Sequence, residues 1–171
     1  MSTTLDLISQ SNLASIPLLP LLRDTLYGIF GLILILLFHG STINFIMMSF
    51  ERKTSINLKR NHYNRVFFHF YFAFVFIALI HIVEIVIWTI YILELNLIKD
   101  FIEAMIFVGS CYTTIGFVED ILPNGWKSLA FFISFSGLFA MAWTTSVMIN
   151  MTSTFKTAWN LKRNKKNPST S

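Results

Sequence analysis

Three ionisable side chains stand well away from the ends of the long apolar stretches of this chain: His39, His81 and Glu84. Such groups are costly at membrane depth, so they are usually paired and often functional. His81 and Glu84 are three residues apart, about one helical turn, and therefore share a helix face. With His39 as a third member, they could hold a metal ion, sense protons, or tie helices together by hydrogen bonds. A structural helix-to-helix cluster is the leading expectation. A pH-sensitive gate is the sharper alternative, because histidine titrates near neutral pH. No metal is assigned to these residues. A second chemistry-bearing stretch is Cys111-Tyr112-Thr113-Thr114-Ile115-Gly116-Phe117-Val118-Glu119-Asp120, in which two adjacent acids follow a glycine-containing run. There is no nucleophile–base pair and no metal motif of recognised spacing, so an enzyme is not expected.

The elements that must position these residues are apolar helices. The 171 residues are 54% hydrophobic and 16% aromatic, with 18 Phe and only 13% charged. Soluble domains carry about 25% charged residues, and the mean hydropathy here is +0.63. The class is an all-α integral membrane protein. A helix needs about 20 mainly apolar residues to cross the hydrocarbon core. Three stretches qualify: 25–50, 66–95 and 126–155, the last with its apolar run from Leu129. Between the second and third lies Phe101 to Tyr112, too short to span. A short helix that enters and leaves on one side, followed by a non-helical run, is the natural reading. Irregular backbone at that depth must be buried in protein or line a watery path.

Charge gives the orientation. The segment 51–65 carries Arg52, Lys53, Lys59, Arg60 and Arg65, and the tail 156–171 carries Lys156, Lys162, Arg163, Lys165 and Lys166. The positive-inside rule puts both in the cytoplasm. The N-terminal segment 1–24 and the segment 96–125 then face outside. The net charge of +4 comes from residues flanking apolar spans, so nucleic-acid binding is not expected. The first residues show no targeting segment. The single Cys111 cannot form an intrachain disulfide, and its burial is expected.

Thr114-Ile115-Gly116-Phe117-Val118 resembles the potassium-channel filter pattern Thr-Val-Gly-Tyr-Gly, with Val118 at the second glycine. The resemblance extends through Phe38-His39-Gly40, His81 to Trp88, Trp126, Gly137-Leu138 and Ala142-Trp143-Thr144. The chain looks like a member of the potassium-channel superfamily of pore-loop cation channels. More narrowly, it looks like small bacterial proteins with an extra N-terminal span. The resemblance implies three transmembrane helices, a re-entrant pore helix and filter loop, and a homotetramer in a bacterial inner membrane. It implies the lipid bilayer and three further copies as partners. No cofactor is implied beyond permeant K⁺ or other monovalent cations. By the same resemblance Thr114, Ile115, Gly116 and Phe117 supply carbonyls to the ion path, with Thr114 adding a hydroxyl. Glu119 and Asp120 become outer-mouth acids. Gly137 becomes a bending point for gating or a close packing contact. Val118 is a β-branched residue where left-handed backbone is wanted, which implies rebuilt outer ion sites and reduced K⁺ over Na⁺ discrimination. The alternative is a non-conducting or regulatory subunit that keeps the channel fold with a degenerate filter.

Overall fold

A computed structural model describes residues 18–116 and 121–166. Over these residues the chain forms four helices: α1 (Leu18–Lys59), α2 (Tyr63–Glu94), α3 (Phe101–Tyr112) and α4 (Leu129–Lys166). Three of them, α1, α2 and α4, are long and apolar enough to cross a membrane. At 1.5 Å rise per residue, the 42 residues of α1 extend about 60 Å, roughly twice the hydrocarbon thickness.

Three boundaries differ from the sequence expectation. The basic segment 51–65, expected as a loop, is helical except for Arg60 to His62. Helix α1 starts before residue 25, and α4 continues through the expected tail to Lys166. Hydropathy marks where apolar side chains stop. Backbone hydrogen bonding continues further, because Lys, Arg and Glu are good helix formers. By contrast, α3 has the expected limits. Asp100 caps it by accepting from the Glu103 N–H at 2.9 Å, and Glu103 adds an acid to its first turn.

Packing contacts define the arrangement. Helix α1 meets α2 in antiparallel register, with Gly31 against Trp88 and Phe50 against Phe70. It meets α4 in parallel register, with Gly28 against Phe132 and Gly40 against Trp143. Helix α3 wedges between α2 and α4. One core cluster surrounds α3 and includes Ile35, Trp88, Ile92, Phe107, Leu129 and Ile133. The other lies toward the basic helix ends and includes Ile43, Phe50, Ile77, Val147 and Met151. Between the two clusters, His39, His81, Glu84 and Thr144 form a polar layer.

At the α3 end of the bundle, Asp24 of α1 accepts a hydrogen bond from the Ser128 N–H at 2.8 Å, just before α4 begins. Asp24 is buried and thereby caps a different helix from its own. Asp24→Ala is expected to lower stability by about 1 kcal/mol. A thermal unfolding series in detergent, with Asp6→Ala as control, checks this.

Candidate functional site

Helices α1, α2 and α3 end in the same way. At α1, the His62 N–H reaches the Asn57 carbonyl and the Asn61 N–H reaches Leu58, with Asn61 at φ 58°. At α2, Leu97 reaches Ile92 and Asn96 reaches Leu93, with Asn96 at φ 53°. These are Schellman terminations with asparagine at the left-handed position, a residue that tolerates it. Helix α3 repeats the pattern: the Ile115 N–H reaches Ser110 and the Thr114 N–H reaches Cys111. Its left-handed residue is Thr114, at φ 58°. A β-branched residue there is a backbone outlier costing on the order of 1–3 kcal/mol. Such strain concentrates at functional sites.

Two residues later Gly116 again has positive φ, at 90°, while Ile115 between them does not. The backbone therefore alternates as it leaves α3, which is the conformation a run of inward-facing carbonyls requires. Thr113 to Gly116 are all exposed, and Ile115 keeps 81% of its surface uncovered. Thr113 anchors the start by donating from its hydroxyl to the Gly109 carbonyl at 2.7 Å. Phe117, Val118, Glu119 and Asp120, the rest of the expected filter and its acids, lie outside the described residues.

Beneath this run is the polar layer, and it draws on all four helices. His39 Nδ1 is 2.7 Å from Glu84 Oε1. Tyr112, the last residue of α3, donates its hydroxyl to Glu84 Oε2. His81 Nδ1 is 2.8 Å from the Tyr112 hydroxyl, and His81 Nε2 is 3.1 Å from Thr144 Oγ1. Thr144 Oγ1 is 3.5 Å from His39 Nε2, which closes a ring. His39, Glu84 and Tyr112 are fully buried, and His81 is partly so. One ligand atom each from His39, His81 and Glu84 falls within 4.8 Å of the others, close enough to converge on a metal ion. Each of these atoms already has a hydrogen-bond partner within the ring.

The expected meeting of His39, His81 and Glu84 is what the structure brings together. Sequence reasoning missed Tyr112 and Thr144. Thr144 carried a legible signal: it lies seven residues, two turns, after Gly137 on the same face of α4. Gly137 is the point where α4 touches α3, for a methyl group there would overlap the backbone carbonyl of Tyr112. Of the two uses expected for Gly137, the structure displays the packing contact, and α4 is continuous across it. Ser136 beside it accepts from Trp88 Nε1 at 2.9 Å, and Trp88 is a buried packing residue. Trp126 sits at the α3 end, its ring tilted against Tyr27 at 5.3 Å and with Arg23 over its face at 4.9 Å. Cys111 is buried, as expected.

Residues 78–154 match the model of a family described as "Ion channel". That span begins in α2 before His81, contains all of α3 and the run after it, and ends within α4. Helix α1 and His39 lie outside it. No curated protein and no solved structure matches the chain.

Proposed function

We propose that this chain, whose residues 78–154 match an ion-channel family, is a member of the potassium-channel superfamily and forms a homotetrameric pore for monovalent cations. The observation that carries the reading is the backbone after α3. Thr114 and Gly116 have left-handed φ on either side of Ile115, and the whole run is uncovered by its own chain. In a bilayer, unpaired backbone groups must face protein or water. Copies of the chain arranged around an axis supply both, with carbonyls toward the axis replacing an ion's water shell. The C-terminal end of α3, the negative end of its dipole, favours a cation there.

In this reading Thr114 and Ile115 line the inner ion sites, and Phe117 and Val118 line a rebuilt outer half. Glu119 and Asp120 concentrate cations at the outer mouth. The N-terminus and the filter face outside, and the basic ends of α1 and α4 face the cytoplasm. K⁺ permeates, with Na⁺ discriminated less than a full set of sites would allow. Purified protein in liposomes tests this through cation flux, with the oligomer counted by chemical cross-linking. Flux above empty liposomes and a cross-linked series ending at four chains are expected. Intact, folded protein that passes no cation would favour the alternative of a non-conducting subunit.

A further inference from the structure

The ring beneath the filter contains five hydrogen bonds: His39–Glu84, Glu84–Tyr112, Tyr112–His81, His81–Thr144 and Thr144–His39. Each needs one hydrogen, so the closed ring holds five. With Glu84 ionised and both imidazoles neutral, the donors are one N–H on each histidine, the Tyr112 hydroxyl and the Thr144 hydroxyl. That is four. The closed ring is one hydrogen short in this form.

Charge leads independently to the same count. Among the described residues, the groups within ion-pair distance of Glu84 are the two imidazoles, at 2.7 Å for His39 and 3.6 Å for His81. Among titratable groups facing the ring, α1 contributes His39, α2 contributes His81 and Glu84, and α3 contributes Tyr112. Helix α4 contributes only the Thr144 hydroxyl and, beside His39, the Trp143 ring. A fully buried carboxylate with neutral neighbours is strongly disfavoured in a low-dielectric setting. One added proton makes the ring neutral and completes its hydrogen bonds together.

We infer that His39, Glu84, His81, Tyr112 and Thr144 form a binding site for a single exchangeable proton, and that this proton clamps the end of α3 beneath the filter. Three placements of the proton close the ring equally: on His39, on His81 or on Glu84. With the proton on either histidine, that imidazolium donates twice, Glu84 only accepts, and the remaining three members donate once; with it on Glu84, all five members donate once around the circle. Losing the proton removes one link and leaves the carboxylate uncompensated. The longest link, between Thr144 and His39 at 3.5 Å, is where the ring opens. Tyr112 is then held less firmly, and Thr113 to Gly116 follow directly from it. His39 comes from the helix outside the family-matched span, so α1 supplies a proton-linked clamp to the channel segment.

Glutamine at position 84 separates this account from a merely structural cluster. Its amide supplies the fifth hydrogen permanently, with nearly the same shape and no titration. Nitrogen NMR of the imidazoles and infrared spectroscopy of the carboxyl, on wild-type protein in lipid, count the ring proton directly. His62 and His69 lie outside the ring and are assigned by replacing each with Asn. The expected result is one protonated ring member at neutral pH, lost in alkali together with a fall in thermal midpoint. Glu84→Gln is expected to lose the alkaline fall. Two neutral imidazoles beside an ionised Glu84 at neutral pH, with the bundle intact, would overturn the inference. So would a Glu84→Gln protein whose stability follows the wild-type alkaline profile. The consequence for flux, a decline in alkali that Glu84→Gln lacks, rests on the channel reading. Absence of flux at every pH counts against that reading alone, while the spectroscopic and thermal results still decide the proton site.

Discussion

Gly137→Ala is expected to abolish the proposed cation flux and to lower the thermal midpoint, because the added methyl meets backbone rather than a movable side chain. The Cβ at position 137 would overlap the carbonyl of Tyr112. That carbonyl sits at the last helical residue of α3, tied by the Schellman bonds immediately after it. It cannot rotate aside without moving Thr113 and Thr114, and Thr114 is the first residue of the proposed filter. Overpacking a well-packed contact costs typically 1–3 kcal/mol, and here the relief must come from separating α3 from α4. The same displacement pulls Tyr112 away from Glu84 and His81. Gly28→Ala is the informative control, since its methyl would meet only the side-chain ring of Phe132. A tilt of that ring absorbs much of the clash, so a smaller loss of stability and retained flux are expected. Size-exclusion chromatography, thermal unfolding and liposome flux on both variants check the contrast. Wild-type flux and stability in Gly137→Ala would show that α3 and α4 do not meet this closely.

Val118→Gly is expected to raise the K⁺ over Na⁺ permeability of the proposed pore on the order of tenfold, equivalent to about 1.4 kcal/mol. Positive φ occurs at Thr114 and Gly116, every second residue, and the next position in that rhythm is 118. Glycine adopts such a conformation readily, whereas valine is a genuine outlier. The chain does hold one β-branched residue in this region, Thr114. There, the two Schellman hydrogen bonds at the helix end fix the conformation. A β-branched residue further from α3 needs its own support, so glycine at 118 is expected to restore an outer ion site that valine disfavours. Bi-ionic reversal potentials of the two proteins measure the shift. An unchanged permeability ratio would mean that position 118 does not govern selectivity.

Much of the architecture was legible because it rests on local signals. Apolar runs long enough for a bilayer located α1, α2 and α4. The short apolar run Phe101 to Tyr112 located α3 to its limits. The (i, i+3) spacing of His81 and Glu84 identified a polar face. The missed features join residues far apart in the chain. Tyr112 reaches Glu84 across 28 positions and Thr144 reaches His39 across 105. No periodicity within one helix reports such a pair. Helix ends were misread for a different reason. Charged residues mark the end of the apolar stretch but extend a helix with ease, so α1 and α4 run on through them.

The central claim is that four copies of the backbone run after α3 surround a cation path. Its most direct test is the reversal potential of purified protein in a planar bilayer under opposed K⁺ and Na⁺ gradients. The account predicts a cation current whose reversal favours K⁺ weakly, and whose anion permeability is negligible. Folded, tetrameric protein with no cation current would contradict it.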